Sequence, residues 1–289
     1  MPRPGRNPCP SAQRPPATDR LSLTPFLTRA VTAAVMLAAF VSAFWLLERG
    51  IFAMVVAAIA AIGGYEWASL NKSGRTMSMA YGLMCALLVA GLAQFPWIAP
   101  WACWIAALFW LLAAPLWLAR GFNACPPSLI PAAGVVVLVP AALAMAALGR
   151  GQVLMLLGLV WIADIAAYLA GRTFGKHKLA PVISPGKTWE GFAGAVGATI
   201  IYAIIWAQFD PELAARVHGA AWVPYLAAAL LLLAVSVIGD LLESAVKRRA
   251  GAKDSGRLLP GHGGILDRID SATAALPVAL LLMQLIGTT

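Results

Sequence analysis

The sequence is dominated by long apolar runs that follow one another with only short polar connections. Each run has about the length that a helix needs to cross a bilayer, which is roughly 20 residues. Nine runs are found at about Phe26–Leu47, Ile51–Leu70, Ser78–Phe95, Trp97–Leu118, Leu129–Leu148, Val153–Ala170, Gly191–Phe209, Ala221–Gly239 and Ala272–Gly287. This pattern predicts an all-α polytopic membrane protein with about nine transmembrane helices.

The composition excludes the common alternatives. Of the 289 residues, 61% are hydrophobic and only 11% are charged, whereas soluble domains carry roughly 25% charged residues. An ordinary globular enzyme and a disordered chain are therefore excluded. The four cysteines form no CxxC pair, so neither a disulfide framework nor a zinc site is indicated.

The chain divides into two parts of very different character. Residues 1–20 are rich in proline and arginine and contain little that could be buried, so we expect a flexible cytoplasmic tail. Residues 21–289 read as a single transmembrane domain. The first apolar run is long and no A-x-A cleavage site closes it, which favours a signal anchor over a cleaved signal peptide.

The distribution of lysine and arginine predicts the orientation. With nine spans and the N-terminus in the cytoplasm, 18 of the 21 Lys and Arg residues face the cytoplasm and 3 face outward, as the positive-inside rule requires. The short connection Phe95–Trp97 could instead mean one broken helix, but merging these spans removes the bias. The C-terminus is then outside, and the net charge of +9 reflects membrane topology and calls for no nucleic-acid partner.

The densest polar segment continues directly from the eighth apolar run. If the helix continues, Asp240, Glu243, Ser244 and Lys247 lie at i, i+3, i+4 and i+7, on one face. Two acids, a hydroxyl and a cation would then face the same space. A solvated helix end with a Glu243–Lys247 pair accounts for the spacing about equally well.

A glycine turn and two further acids follow this segment. Asp267 and Asp270 are three residues apart where the ninth run begins, so both carboxylates can approach one point. Mg²⁺ commonly binds one or two carboxylates together with substrate phosphate oxygens, and the neighbouring cations would suit a triphosphate. These cations are Lys247, Arg248, Arg249, Lys253 and Arg257. The pattern indicates metal-assisted phosphoryl or nucleotidyl transfer, although the two aspartates could simply end a helix at the interface.

Three other polar positions need to be considered. Asp164 lies inside the sixth run, where an ionisable group is costly and is a functional candidate. Glu66 has a weaker case because it lies near a predicted boundary and can reach the surface. His262 could equally well stabilise the glycine turn or bind a ligand. The triplet at 186–188 resembles the end of a P-loop, but position 181 is Pro and no strand is predicted before it, so we reject that motif.

Two long segments carry a family resemblance. One is Ser244-x-Val246-Lys247-Arg248-x4-Lys253-Asp254-x-Gly256-x2-Leu259-Pro260-x-His262-Gly263-Gly264-Ile265-x-Asp267-Arg268-Ile269-Asp270. The other begins at Asp164 and includes Gly171-Arg172-x-Phe174-Gly175-Lys176-x-Lys178-Leu179 and Ser184-Pro185-x-Lys187-Thr188-Trp189-Glu190-Gly191. Together they resemble the CDP-diacylglycerol synthases (phosphatidate cytidylyltransferases) over roughly residues 25–289.

The resemblance implies an enzyme that converts CTP and phosphatidate to CDP-diacylglycerol and pyrophosphate. It implies a multi-pass protein of a bacterial-type inner membrane, often dimeric, with an active site facing the cytoplasm. It also implies Mg²⁺, with K⁺ as a possible second cation, on Asp240, Asp267 and Asp270, and a catalytic role for Lys247. We further expect a set of substrate-binding residues, namely Asp164, Lys187, Ser244, Arg248, Lys253, His262, Gly263, Gly264 and Arg268.

Two alternatives remain at this stage. A related CTP-dependent lipid kinase or cytidylyltransferase would share CTP and metal but use another lipid acceptor. A transporter that binds ions would place its acids deep within several spans, and only Asp164 and Glu66 approach that description.

Overall fold

The computed structural model of the chain describes residues 35, 38, 41–121, 125–256, 258 and 263–286. Within these residues, most of the chain is helical. The helices are α1 (Arg49–Leu70), α2 (Arg75–Leu92), α3 (Ile98–Arg120), α4 (Leu129–Ala147), α5 (Arg150–Phe174), α6 (Trp189–Phe209), the short α7 (Pro211–Arg216), α8 (Trp222–Ala250) and α9 (Leu266–Ile286). Two short strands, β1 (Lys178–Ala180) and β2 (Ser184–Thr188), separate α5 from α6.

Seven of the described helices are long and apolar enough to cross a membrane, namely α1 to α6 and the helix that includes α8. The prediction of a helical multi-pass membrane protein is therefore confirmed. Most of the predicted first span, Phe26–Leu47, lies outside the described residues, as do residues 1–20. The structure also moves two boundaries, because α8 continues to Ala250 beyond the predicted end at Gly239, and α9 begins at Leu266, before the predicted start at Ala272.

The connection at Phe95–Trp97 separates two helices, since α2 ends at Leu92 and α3 begins at Ile98. Each of these helices is long and apolar enough to cross a membrane, which favours two spans over a single broken helix. Helix α3 contains a wider, π-helical turn at Phe109–Ala113, just before Pro115. Proline has no N–H to donate and its ring crowds the preceding turn, so a locally widened turn accommodates it.

Helix α9 lies at the centre of the bundle and packs against α1, α3, α4, α5 and α8. Its middle is buried on all sides, and Ala274, Ala275 and Ala279 are fully buried. Small side chains let helix backbones approach closely, which is how membrane helices associate without a hydrophobic driving force. The polar first turn of α9 is thereby held among the ends of its neighbours.

The strands form an antiparallel hairpin between α5 and α6, which the all-helical prediction did not include. The argument that no strand precedes residues 186–188 was wrong, because β1 does. The rejection of a P-loop is unaffected, since Gly186 and Lys187 belong to strand β2 itself. Thr188 ends the hairpin and caps α6 by accepting a hydrogen bond from the N–H of Gly191 at 3.1 Å.

Candidate active site

One group of polar side chains, which we call the recessed cluster, comprises Asp164 of α5, Lys187 of β2, Asp240 and Ser244 of α8, and Asp270 of α9. Lys187 Nζ lies 2.6 Å from Asp240 Oδ2, and Ser244 Oγ donates to Asp240 Oδ1 at 3.3 Å. Asp164, Asp240 and Asp270 are close enough to interact electrostatically with one another. The structure therefore brings together five of the predicted site residues from four elements.

Two members of the cluster lie well inside their helices. Asp164 and Asp240 are each ten residues from the end of their helix, at Phe174 and Ala250, which corresponds to about 15 Å along the helix axis. Asp164 is nevertheless exposed, and the side chain of Asp240 is 30% exposed. Because a charged side chain at this depth cannot face lipid cheaply, we interpret the open space beside these residues as a polar recess.

Gly239 explains how the cluster is assembled. A Cβ atom at this position would lie 2.7 Å from the carbonyl oxygen of Asp270 and 3.0 Å from the Cβ of Ala274. Helices α8 and α9 can therefore cross closely only because position 239 has no side chain. This crossing places Asp240, the next residue, beside Asp270.

A second group of polar side chains, which we call the loop clamp, comprises Glu66, Glu243, Lys247, Ser255 and Asp267. Lys247 Nζ lies 2.5 Å from Glu243 Oε2 and 2.6 Å from Asp267 Oδ1. The other oxygen of Asp267 accepts from the N–H and the hydroxyl of Ser255, both at 2.9 Å. These side chains are largely buried, and their contacts join α1, α8, α9 and the loop between α8 and α9.

The expectation that Asp240, Asp267 and Asp270 hold one metal ion stays a prediction. Asp240 and Asp270 belong to the recessed cluster, whereas both oxygens of Asp267 are engaged in the loop clamp, one of them also accepting from Gly264 N at 2.8 Å. Among the described residues, no group of three or more His, Cys, Asp or Glu side chains could hold a metal ion by itself. A shared metal site that includes Asp267 is therefore not preformed here.

The remaining carboxylates still suit a divalent cation. Asp164, Asp240 and Asp270 repel one another, and the positive charges that act on them come from Lys187 and Lys247. One or two carboxylates are a common protein contribution to a Mg²⁺ site, which phosphate oxygens and water complete. The donor set of the recess thus fits Mg²⁺ held by Asp240 and Asp270 better than Mg²⁺ held by Asp267.

The other predicted substrate-binding residues are distributed around the two groups. Arg248 Nε donates to the carbonyl of Ile183 at 3.4 Å, which ties α8 to the hairpin. Lys253 and Arg268 are exposed. Gly263 has a positive φ of 83°, a backbone conformation that favours glycine. His262 lies outside the described residues.

Three members of the loop clamp were not among the predicted site residues, namely Glu66, Glu243 and Ser255. Glu66 and Glu243 are each only 3% exposed, so the expectation that Glu66 reaches the surface is wrong. The sequence did contain one signal for Glu66, which is an acid within an apolar run, because such acids usually have a function. The identity of their partners was not readable, because Glu66 meets residues almost 200 positions away.

A cavity of about 200 Å³ lies between α5, α6, α8 and α9, and its lining includes Met155, Leu159, Trp206 and Leu232. None of the residues in the recessed cluster or the loop clamp lines it. This apolar cavity adjoins the opposite ends of these helices, where α7 lies. It is therefore separate from the candidate active site.

The fold defines a helical multi-pass membrane protein, and its recess brings three carboxylates and a lysine together, as an enzyme acting on phosphates would require. The model of the cytidylyltransferase family matches residues 27–286. The phosphatidate cytidylyltransferase of Pseudomonas aeruginosa is 38% identical over 282 residues, covering 90% of this chain and 97% of that protein. The chain belongs to the cytidylyltransferase family, and it is a nucleotidyltransferase.

Other relatives are more similar over shorter stretches. The phosphatidate cytidylyltransferase of Haemophilus influenzae is 49% identical over 119 residues, which is 41% of each chain. That of Brucella suis biovar 1 is 50% identical over 127 residues, which is 44% of each chain. The resemblance identified from the two sequence segments is thereby confirmed.

Proposed function

We propose that this protein is a phosphatidate cytidylyltransferase, which converts CTP and phosphatidate to CDP-diacylglycerol and pyrophosphate. The observation that carries the proposal is the recess in which Lys187 contacts Asp240 beside Asp164 and Asp270. The Pseudomonas aeruginosa relative, 97% of which is covered by this chain, is a phosphatidate cytidylyltransferase, and this likeness supports the same activity. A lipid substrate and a soluble one can both reach a recess that lies between membrane helices.

The reaction brings two anions together. An oxygen of the phosphatidate phosphate attacks the α-phosphorus of CTP, a new P–O bond forms, and the bond to the departing pyrophosphate breaks. The attacking oxygen is already ionised near neutral pH, so the main requirements are to offset negative charge and to hold the reactants in line. Fixed cations and preorganised ligands can meet both requirements.

Lys187 is the group best placed to meet phosphate. Its side chain is 23% exposed and its ammonium group has one carboxylate partner, Asp240, which a phosphate oxygen could replace. Lys247 is more enclosed, because its ammonium group contacts both Glu243 and Asp267. Lys247 would therefore act on the recess through its charge and through the position of α9.

Asp240 and Asp270 are the residues that would hold Mg²⁺, and the bound ion would offset charge on the phosphate oxygens of both substrates. Ser244 orients the Asp240 carboxylate by its hydrogen bond. A second cation such as K⁺, and the remaining predicted substrate contacts of Arg248, Lys253, His262, Gly263, Gly264 and Arg268, form part of the same proposal.

The finer topology also belongs to this proposal. The chain crosses a bacterial-type inner membrane nine times, with the N-terminus in the cytoplasm, the C-terminus outside and the recess open to the cytoplasm. Residues 21–289 form one transmembrane domain, and the protein is a homodimer. Green fluorescent protein fused after Thr289 should stay dark, whereas a fusion before Met1 should fluoresce; the reverse result would invert the topology.

The activity is tested with purified protein, labelled CTP, Mg²⁺ and phosphatidate, with lipid-linked cytidine as the product. We expect product with the unaltered protein and with Glu212→Gln, a control that removes an exposed acid at the opposite helix ends. Transfer to another lipid phosphate, with none to phosphatidate, would leave the family assignment intact and change the acceptor. Absence of any CTP-dependent product would contradict the proposal.

A further inference from the structure

Glu66 of α1 is buried beneath the loop that joins α8 to α9. Its Oε2 accepts hydrogen bonds from the N–H of Leu266 at 2.8 Å and from the hydroxyl of Ser255 at 2.9 Å. Its Oε1 accepts from the N–H of Ile265 at 3.0 Å. A single carboxylate, only 3% exposed, thus contacts Ser255 in the first half of this loop and Ile265 at its end.

The contacts satisfy a specific need of α9. The first N–H groups of a helix have no partner within the helix, and a negative charge near them is favourable. Leu266 is the first residue of α9, and its N–H donates to Glu66 from another helix. Glu66 therefore acts as a cap for α9 that is supplied by a distant part of the chain.

The loop is shaped to receive this carboxylate. A Cβ atom at Gly256 or Gly264 would overlap the oxygens of Glu66. Both positions therefore have to lack a side chain for the loop to close over the acid. Two glycines and an intramembrane acid, far apart in sequence, form one interlocking arrangement.

The arrangement is linked to the residues of the active site. The hydroxyl of Ser255 lies 2.9 Å from Glu66 Oε2 and 2.9 Å from Asp267 Oδ2, and its single hydrogen can serve only one of them at a time. Asp267 in turn contacts Lys247. Asp270 of the recessed cluster is one turn further along α9.

We propose that Glu66 is a positioning residue for cytidylyl transfer. It holds the start of α9 and the loop before it, and so places Asp267, Lys247 and Asp270 relative to the recess without touching the substrates. The inference rests on the proposed function for its effect on catalysis, whereas its effect on the loop is independent of which reaction the protein performs.

The first experiment compares Glu66→Gln with the control Glu48→Gln, which alters an exposed acid just before the same helix. The side-chain amide of Glu66→Gln keeps one acceptor oxygen. Its nitrogen replaces the other oxygen and can only donate, so it faces the donors of the loop without accepting from them. We expect kcat to fall by about a hundredfold, as small misplacements of reacting groups do, and KM for CTP to change by a smaller factor. Glu48→Gln should match the unaltered protein.

The second measurement separates positioning from general destabilisation. Hydrogen exchange at Ile265 and Leu266 should become faster in Glu66→Gln, while exchange in the middle of α9 and in α4 stays unchanged. Ser255→Ala should produce a smaller loss of the same kind, and the double variant Glu66→Gln/Ser255→Ala should lose no more kcat than Glu66→Gln alone. If Glu66 had only a general structural role, the losses of kcat in the two single variants would add in the double variant. Hydrogen exchange would then become faster throughout the described helices.

The outcomes distinguish this inference from the proposed function. If the unaltered protein makes no CDP-diacylglycerol but Glu66→Gln still loosens Ile265 and Leu266, the proposed reaction fails and the capping contact stands. If Glu66→Gln transfers cytidylyl groups at the normal kcat, the positioning role is overturned. Should Glu66→Gln not fold, Ser255→Ala and Gly264→Ala test the same contact from the loop side, and normal kcat in both would overturn it.

Discussion

Asp240 and Asp267 have the same side chain, yet the structure places them in contrasting surroundings. Asp240 is partly exposed in the recess and contacts Lys187 and Ser244. Asp267 is enclosed in the loop clamp, where Lys247, Ser255 and Gly264 occupy both of its oxygens. Both oxygens of each carboxylate have a partner, but Asp240 is partly exposed and can exchange its partners for a substrate or a metal. Asp267 is enclosed by more donors and is better suited to holding structure.

Asp267 and Asp270 lie on adjacent turns of α9 and differ in the same way. Asp270 faces the recess and interacts electrostatically with Asp240 and Asp164, while Asp267, three residues earlier, holds the loop. Breaking a buried ion pair is far more costly than altering an exposed one. Variants of the two groups should therefore differ in stability as well as in activity, which makes the contrast testable.

The largest effect is expected from removing divalent cations. EDTA should abolish transfer and added Mg²⁺ should restore it, because the three carboxylates of the recessed cluster outnumber its single lysine, Lys187. Hydrogen exchange at Ile265 and Leu266 should not change, since the loop clamp is held by protein donors alone. Activity that persists in EDTA would contradict the metal assignment. Hydrogen exchange at Ile265 and Leu266 that depends on Mg²⁺ would show that the recessed cluster and the loop clamp are not independent.

Asp240→Asn or Asp270→Asn should lower kcat/KM by about a hundredfold or more, the range seen when one preorganised charged group is lost from an active site. Insertion, yield and thermal unfolding should stay near those of the unaltered protein. Glu212→Gln is the matched control for loss of one acid. Normal activity of either asparagine variant would show that the recess is not where phosphates are handled.

Asp267→Asn should affect structure first. It leaves Lys247 with Glu243 alone and weakens the bonds from Ser255 and Gly264, so we expect the free energy of unfolding to fall by roughly 3–5 kcal/mol, the usual cost of breaking a buried pair. Activity should fall with it, and exchange at Ile265 and Leu266 should quicken. If Asp267→Asn is stable but inactive, Asp267 would instead be a direct metal ligand.

The smallest effect is expected from Ser244→Ala. The variant loses a 3.3 Å hydrogen bond from a hydroxyl to Asp240, which should cost about 1 kcal/mol, or a factor of about five in kcat/KM. Lys187→Met, measured beside it, should be the more severe change because it removes the cation that contacts the same carboxylate. Equal losses in the two variants would mean that Lys187 contributes no more to catalysis than the neutral hydrogen bond from Ser244.

Several features of the candidate site were predictable from local spacing. The continuation of α8 places Asp240, Ser244 and Lys247 within successive turns of one helix, because a period of 3.6 residues is a property of the helix itself. The hairpin was not predicted, because its short polar strands have no apolar alternation. Nor was the burial of Glu66, because a position near a boundary is compatible with either the surface or the interior.

The sequence by itself determined the class of protein, which is a helical multi-pass membrane protein, and its family. Apolar length, charge asymmetry and a long contiguous motif are all read along the chain, and bilayer thickness converts length directly into spans. Only the tertiary structure decided which acids face the recess and which are held in the loop clamp. The reason is that a carboxylate's role depends on the donors packed around it, and the donors of Glu66 and Asp240 come from segments that only folding brings near them.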